Sequence, residues 1–270
     1  MKKTPYSAMR IGAALEFDTS QYSESDIPFV EFLEYAVHVH RPPPSWLWET
    51  IGKHRVPIHL HPLDINLAGD EDLQLWLESF KPIVREFKCE AIVTDLGFWF
   101  LGPPESTWER APHFGKAAEQ CRERAEWIAT ACGIPFRVEN PPVDWMPDQP
   151  SVWSFLESVS KGRGVEICLD LCHLHQYSVN VCRQKLTLPR EFPWERVTEV
   201  HLGGCVAVDY MGHESMIDTH LAEIDPTQLE WLRAIMEYRS GLRTDICLEM
   251  EPCAVTAFNA TAQSITARFQ

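Results

Sequence analysis

The chain has 270 residues and 45% of them are hydrophobic, which is enough for one large core. Its formal net charge of −15 argues against a nucleic-acid-binding surface, because such surfaces depend on clustered lysine and arginine. No apolar run is long enough for a membrane span and the start does not resemble a signal peptide, so we expect a cytoplasmic protein. No linker-like tract divides the sequence, which predicts a single domain over residues 1–270. Nine cysteines without a Cys-x-x-Cys pair predict reduced, largely buried thiols.

Eight short segments share a mostly apolar composition, often with β-branched residues, and this composition predicts buried parallel strands. In chain order the segments are Met9–Phe17, Val30–Ala36, Val56–His61, Ala91–Leu96, Pro135–Asn140, Val165–Asp170, Val197–Leu202 and Asp245–Met250.

Helical stretches separate most of these strands. They are Ser45–Lys53, Glu71–Phe87, Lys116–Cys132, Ser151–Ser160, Thr227–Arg239 and a last helix from Val255. Capping residues support the placement, since Asp225 precedes a proline at the first helical position, and Gly133 and Gly162 lie where helices should end.

Strands that alternate with helices predict a parallel sheet with right-handed crossovers. Eight such repeats predict an α/β protein with a (β/α)8 TIM-type barrel of the xylose-isomerase-like kind. Two features leave a doubly wound open sheet as the alternative. The first two strands have no clear helix between them, and the two prolines of Pro189–Trp194 make the sixth crossover irregular.

Each predicted strand ends in a side chain that can bind a metal ion. These residues are Glu16, Glu34, His59, Asp95, Glu139, Asp170 with His173, His201 and Glu249. The C-terminal ends of barrel strands meet at one mouth, so residues far apart in the chain can surround one site. Mixed carboxylate and imidazole ligands suit hard or borderline cations.

Some positions offer a choice between neighbours. Alternation along the third strand directs His59 and His61 to the same side, and we favour His59 as the ligand. On the last strand we favour Glu249 over Glu251, because Glu249 lies deeper in the apolar run. Glu139 ends its strand before two prolines, and its carboxylate could bridge two cations. The competing interpretation is a strand-end histidine satisfied by a neighbouring group for His59 and His61, and a structural salt bridge for Glu139.

A loop motif completes the predicted ligand set. Asp218 and His220, in Asp-Thr-His, lie after the seventh strand, where successive βα units supply nitrogen ligands beside carboxylates. No Gly-rich phosphate loop or nucleophile elbow is present, so nucleotide-dependent hydride transfer is unsupported.

In these motifs the chain resembles the multinuclear non-haem iron-dependent oxidative enzymes, a family of barrel proteins related to the methanobactin biosynthesis iron enzyme. The shared landmarks are FLE at 32–34, IH at 58–59, VENP at 138–141, LDLCH at 169–173, EVHLGG at 199–204, IDTH at 217–220 and LEME at 248–251.

The resemblance implies two or three iron ions and O2-dependent modification of a ribosomally synthesised precursor peptide, commonly at cysteine. The chain is also similar to the thiaglutamate-pathway enzyme, and this similarity implies loss of a carbon from a C-terminal cysteine. The implied metal ligands are His59, Glu139, Asp170, His173, His201, Asp218, His220 and Glu249. Relatives commonly work with a small partner protein that presents the peptide, and we expect one here.

The chain differs from the family pattern at three places. Thr94-Asp95-Leu96 stands where Ser-Glu-His is usual, so Asp95 is the replacement ligand to consider. His173 takes the place of an asparagine, and Cys205 takes the place of a second histidine. We expect Asp95, Glu139 and His173 to be the catalytic residues.

Three other functions fit a metal-binding barrel. A sugar isomerase or epimerase would use Mg²⁺, Mn²⁺ or Co²⁺ and needs fewer histidines. A zinc hydrolase similar to endonuclease IV conflicts with the acidic charge, and a non-catalytic metal-binding scaffold needs no substrate site. Iron content distinguishes all three from an iron oxidase.

Overall fold

The barrel strands and most of their crossovers are described in a computed structural model. It covers residues 9–15, 30–37, 56–63, 65–69, 72–96, 98–99, 109–110, 114–142, 151–210, 212–220, 223–250 and 255–269. The predicted helix Ser45–Lys53, Glu16 and Glu251 lie outside the described residues.

The described strands are, in chain order, β1 Met9–Leu15, β2 Phe32–Val37, β3 Ile58–Pro62, β4 Ala91–Asp95, β5 Phe98–Trp99, β6 Glu109–Arg110, β7 Phe136–Glu139, β8 Val165–Asp170, β9 Val197–Gly203, β10 Cys205–Tyr210, β11 His213–Asp218 and β12 Thr244–Glu249. The described α-helices are α1 Leu73–Glu86, α2 Phe114–Cys132, α3 Val152–Ser160, α4 Leu171–Gln176, α5 Pro226–Tyr238 and α6 Val255–Phe269.

Eight strands close into one barrel in the order β1, β12, β9, β8, β7, β4, β3, β2. Each neighbouring pair is parallel. The predicted (β/α)8 barrel is therefore confirmed and the open sheet is excluded. All eight predicted strand segments coincide with barrel strands, within one or two residues at most of their ends.

The helices pack on the barrel through apolar faces. In α1 the buried residues include Trp76, Leu77, Phe80 and Ile83, a spacing that puts them on one side of a helix. Each large apolar side chain buried in this way contributes about 1.5–3 kcal/mol. The side chain of Asp225 accepts a hydrogen bond from the Thr227 N–H at 2.7 Å and caps α5, as predicted.

The sixth crossover is irregular, in agreement with its prolines. After β8 the chain forms α4, then a π-helix at Tyr177–Cys182 and a 3₁₀ turn at Trp194–Arg196. Two antiparallel hairpins, β5–β6 and β10–β11, were not predicted. The second hairpin leaves the C-terminal end of β9 and so adds residues to the mouth of the barrel. Among the described helices, none is both long and apolar enough to cross a bilayer.

Candidate metal centre

The C-terminal ends of the barrel strands bring seven ionisable side chains into one buried group. We call this group the mouth cluster; its members are Glu34, His61, Asp95, Glu139, Asp170, His201 and Glu249. Each residue is at most 6% exposed. The strand register aligns Asp95 with Glu139 and Asp170 with His201, so the two residues of each pair lie side by side on neighbouring strands.

His201 lies at the centre of the mouth cluster. Its Nδ1 lies 3.1 Å from Glu249 Oε1 and 3.3 Å from Glu139 Oε1, and its Nε2 lies 3.4 Å from Glu34 Oε1. Neither ring nitrogen has hydrogen-bond geometry with a described residue. Ligand atoms of Glu139, Asp170, His201 and Glu249 all lie within 4.8 Å of one another, which is the spacing that a bound ion requires.

His61 forms a second group with two carboxylates. Its Nδ1–H donates to Glu34 Oε1 at 3.0 Å, which fixes the ring. Its Nε2 then lies 3.6 Å from Asp95 Oδ2 and 3.8 Å from Glu139 Oε2. Glu139 therefore directs one oxygen toward His61 and the other toward His201, and neither oxygen has a hydrogen-bond partner among the described residues.

The structure places His59 outside the mouth cluster. Its Nδ1 bonds to Glu199 Oε1 at 2.8 Å, and its ring stacks on Phe32 at 4.4 Å. His59 and His61 share a side of β3, as expected, but a step of two residues separates them by about 6.6 Å along the strand. Only His61 reaches the level of Asp95 and Glu139.

Below the mouth cluster the barrel contains a second charged layer. We call it the floor network; its members are Arg10, His59, Arg137, Glu199 and Asp245. Arg137 Nη1 donates to Glu199 Oε2 at 2.6 Å and its Nη2 lies 3.3 Å from Asp245 Oδ2. Arg10 bonds to both oxygens of Asp245 at 2.8 Å. The arginines thus neutralise these buried carboxylates.

His173 extends the mouth cluster toward the rim. The Asp170 carboxylate accepts from the His173 backbone N–H and caps α4. The ring Nδ1–H donates to the Asn140 carbonyl at 2.8 Å, so Nε2 faces Asp218 Oδ2 at 3.3 Å. The Asn140 side chain also bonds to the backbone of Asp170 in both directions, each at 2.9 Å. Asn140, which immediately follows Glu139, therefore holds two predicted ligands in place.

Asp218 and His220 lie at the end of β11. His220 Nε2 is 3.2 Å from Asp218 Oδ2, and His220 has a left-handed backbone with φ of 50°. Burial alone would raise the pKa of Asp218, but hydrogen bonds from His173 and His220 hold it below its usual range. A β-carbon on Gly203 would meet the Glu249 carbonyl at 3.3 Å, so glycine allows β9 to approach β12 closely.

Eight polar atoms of the mouth cluster are buried without hydrogen-bond partners among the described residues. The unpaired atoms are Glu34 Oε2, His61 Nε2, Asp95 Oδ1, both Glu139 oxygens, Asp170 Oδ2 and both His201 nitrogens. Leaving one such neutral group unpaired costs about 1–3 kcal/mol, and a charged group costs more. Burial, followed by the charge of Asp95, raises the pKa of Glu139 to about 7. Bound cations would satisfy these atoms together, so the residues fit a metal centre.

A model of the family described as RiPP precursor modification enzyme MbnB/TglH/ChrH matches residues 11–265. The chain belongs to this family. The resemblance seen in the sequence is therefore confirmed, and the protein is an enzyme of the class that modifies precursors of ribosomally synthesised, post-translationally modified peptides (RiPPs).

Several solved structures have the same barrel fold as this RiPP precursor modification enzyme, although their sequence identity to it is low. A xylose isomerase-like TIM barrel protein from Mycobacterium smegmatis, in complex with magnesium, has a TM-score of 0.55 and 14% identity over 88% of this chain and 85% of that one. The 3-keto-D-glucoside 4-epimerase YcjR from E. coli has a TM-score of 0.55 and 12% identity over 96% and 99%. A family 2 AP endonuclease from Brucella melitensis has a TM-score of 0.56 and 13% identity over 94% and 98%. These similarities show the fold alone.

Two charged residues near the site of this RiPP precursor modification enzyme were not identified from the sequence as parts of a site. Arg137 and Asp245 lie in the floor network, and each stands at an inward position of an otherwise apolar strand. Cys172 and Cys205 flank Asp218, and Cys205 Sγ lies 3.5 Å from His175 Nδ1. The signal for the floor network was a charged residue two positions before a mouth residue, as Arg137 precedes Glu139.

Proposed function

We propose that this RiPP precursor modification enzyme binds two or three iron ions and uses O2 to oxidise a cysteine of its precursor peptide. The observation that supports it most strongly is the set of buried, unpaired ligand atoms in the mouth cluster. Family membership supports the peptide as substrate. The more specific reaction, loss of a carbon from a C-terminal cysteine, belongs to the same proposal.

Charge balance favours more than one cation. The mouth cluster contains five carboxylates, which belong to Glu34, Asp95, Glu139, Asp170 and Glu249. Among the described residues no lysine or arginine forms an ion pair with any of them, in contrast to the floor network. One divalent ion would leave most of this negative charge uncompensated in a buried site, whereas two would balance nearly all of it.

The ligand groups suggest how the chain divides its side chains between ions. Glu139, Asp170, His201 and Glu249 would hold one ion, and His61, Asp95 and Glu139 a second. Glu139 would bridge them, because its two oxygens face His201 and His61 separately. His173, Asp218 and His220 would contribute to a third position at the rim. We thus assign His61 the role that the sequence favoured for His59, and Asp95 the role of the histidine that is usual in the family.

The chain's own residues prepare the site for this chemistry. The Nδ1–H of His61 donates to Glu34, and the Nδ1–H of His173 donates to the Asn140 carbonyl. Each ring therefore has its Nε2 available as a metal ligand. Thr94 Oγ1 donates to the Pro62 carbonyl at 2.7 Å and ties β3 to β4 beside Asp95. When bound, iron would supply O2 activation and a partner for the substrate thiolate. The buried position of the cluster excludes bulk water from the reacting groups.

Metal analysis with Mössbauer spectroscopy tests the proposal. Protein from iron-supplemented cells should contain at least two irons per chain with a coupled spectrum, and Glu139→Ala and His201→Ala should lose that coupling. Turnover of a cysteine-containing precursor peptide should require O2. Equal turnover without O2 contradicts the oxidative reaction. One divalent ion without iron would instead favour the sugar isomerase or epimerase alternative, which shares the fold. The small partner protein stays a prediction.

A further inference from the structure

The hairpin of β10 and β11 has two edges, and side chains satisfy the backbone of the β11 edge. There the Met216 N–H donates to Asn180 Oδ1 at 2.8 Å, and the Met216 carbonyl accepts from Asn180 Nδ2 at 3.0 Å. The Glu214 carbonyl accepts from Arg183 Nη1 at 3.2 Å. The Asn180 amide thus takes the place of a neighbouring strand at this edge.

The same bonds establish which backbone groups of β10 point away from β11. The ladder pairs Ala207 with Met216, and it pairs Asp209 with Glu214. Because Met216 directs both of its backbone groups outward to Asn180, these are the pairs without ladder hydrogen bonds, and Ala207 and Asp209 direct their backbone groups outward as well. Both residues are exposed, and no described residue bonds to these backbone groups. Among the described residues, β10 therefore has an open edge.

The open edge of β10 starts at the mouth of the barrel. Its first residue, Cys205, is the ladder partner of Asp218, and Gly203, two residues earlier, is the ladder partner of Glu249. A chain that pairs antiparallel with β10 would run from the far end of the hairpin toward Cys205. The C-terminal end of that chain would therefore arrive beside Asp218 and the mouth cluster.

One face of the hairpin is apolar and partly exposed. Val206 and Ile217 lie opposite each other on this face, and Val208 lies two residues further along β10. Ile217 is 44% exposed, and both valines are half-buried. A strand added at the open edge would place every second side chain on this face, beside the valines. The edge therefore suits an extended segment with apolar residues at alternate positions.

We propose that the open edge of β10 binds the precursor peptide as a third, antiparallel strand of the hairpin. The family supplies the peptide as substrate, and a peptide main chain has the donors and acceptors that this edge requires. The delivery of a C-terminal cysteine to the mouth rests on the proposed function. A second copy of this chain offers the same backbone groups, but a net charge of −15 on each copy opposes such pairing.

Affinity selection from synthetic ten-residue peptides tests the docking site. Every position except a C-terminal cysteine is randomised, and the full-length protein is used in reducing buffer. We expect the enriched peptides to have apolar residues at alternate positions. N-methylation of a residue between these positions should weaken binding by about 3–10-fold, because it removes one main-chain hydrogen bond. N-methylation of the apolar residues should not weaken binding, because their N–H groups point away from β10.

Variants of the hairpin test the same site from the side of the protein. Ala207→Pro removes an outward N–H and no bond to β11, and proline is tolerated at such positions of edge strands. It should weaken peptide binding by about 3–10-fold, whereas Ala207→Thr, which retains the N–H, should bind like the wild type. Glu214→Pro is the matched control, because it removes an outward N–H from the β11 edge. It should also bind like the wild type. Circular dichroism checks that each variant folds.

Other outcomes overturn the proposal. Selection without enrichment, an N-methylation response that does not alternate, or full binding to folded Ala207→Pro would exclude strand addition at β10. A dimer that dissociates only in Ala207→Pro would assign the edge to a second copy of the chain. A photoreactive group at the C-terminal end of the peptide should label residues near Asp218, and labelling near Asp209 would exclude the antiparallel direction.

Iron is measured on protein from iron-supplemented cells in parallel with peptide binding. The two results separate this proposal from the proposed function. Peptide binding with the alternating pattern but without iron would overturn the iron centre alone. A coupled iron centre without peptide binding at β10 would overturn the docking site alone.

Discussion

The floor network and the mouth cluster are two charged layers of the same barrel, about two residues apart along the strands, and they differ in the origin of their positive charge. In the floor network Arg137 lies between Glu199 and Asp245, and Arg10 bonds to Asp245. The mouth cluster has carboxylates and imidazoles at similar burial and no arginine among the described residues. The floor carboxylates thus have arginine counterions within the fold, whereas the mouth carboxylates have none among the described residues.

The same difference appears in the pKa values. Burial would lower the pKa of Arg137, but Glu199, Asp245 and Glu166 hold it above its usual value, so Arg137 keeps its charge at any ordinary pH. In the mouth, burial and the charge of Asp95 raise the pKa of Glu139 to about 7. The net charge of the mouth cluster therefore depends on bound protons or metal ions.

Replacing Arg137 with methionine should produce the largest loss of folding stability. The substitution leaves Glu199 and Asp245 buried without the guanidinium, and breaking a buried pair in this way costs about 3–5 kcal/mol. Chemical denaturation of metal-free protein measures the loss. Glu139→Gln should leave the free energy of unfolding unchanged or raise it, because the substitution removes the repulsion between Glu139 and Asp95. Equal losses in the two variants would show that the layers do not differ as described.

The two histidines of β3 provide a matched pair. His61→Gln should lower the iron content, because its Nε2 faces Asp95 and Glu139. His59→Gln should retain the iron but lose about 1–3 kcal/mol of stability, because the substitution weakens the hydrogen bond that His59 makes to the buried Glu199. Iron analysis and denaturation of both variants check the result. Loss of iron from His59→Gln with retention in His61→Gln would reverse the assignment.

Metal-free protein should lose stability as pH rises. Burial would lower the pKa of His201, but Cys168, Glu139 and Glu34 raise it well above its usual value. A histidine whose folded pKa exceeds its unfolded value stabilises fully below about pH 6.5, and this contribution disappears as pH rises through the folded pKa. Urea titrations in chelator at increasing pH measure the effect. Stability that increases over this range would contradict it.

The stability of iron-loaded protein should instead fall as pH falls, because metal ions and protons compete for the same nitrogen and oxygen atoms. Iron should therefore dissociate as pH falls. Dialysis at decreasing pH followed by iron analysis measures this release. Retention of iron at a pH where the mouth histidines bind protons would mean that those histidines are not ligands.

Much of the fold could be predicted because its signals are local. Apolar runs of strand length, helix caps such as Asp225 and the stop at Gly133 define the (β/α)8 order without tertiary information. The strand-end carboxylates were also readable, since parallel strands end at one mouth. The β10–β11 hairpin was missed because its short alternating segments follow β9 directly and do not belong to the strand and helix repeat.

The choice between His59 and His61 shows what the sequence could not supply. Alternation along a strand gives the side on which a residue lies, but the level along the barrel axis depends on the register with neighbouring strands. On the β4 side that register pairs His59 with Ala91, four residues before Asp95 at the end of β4, and His61 lies two residues nearer to that end. The role of floor residues such as Arg137 could not be predicted for a related reason, because their partners come from strands remote in sequence.

Replacing Asn140 should have a modest effect on folding and a selective effect on metal binding. Among the described residues its side chain bonds to the backbone of Asp170 alone, and it does not belong to either ligand group. Asn140→Ala should therefore weaken iron affinity by about 10–100-fold, the range typical of residues that orient metal ligands. Competition with a coloured chelator measures the change.

Ser178→Ala is the matched control for that variant. Ser178 is also buried and makes two side-chain bonds to backbone, donating to the Gln184 carbonyl at 2.7 Å and accepting from the Leu186 N–H at 3.2 Å. Its loss should cost similar stability, because each such bond contributes about 0.5–1.5 kcal/mol. It should not change iron affinity, since Ser178 contacts no proposed ligand. Parallel affinity losses in both variants would mean that Asn140 acts through general stability and does not position Asp170 for the metal.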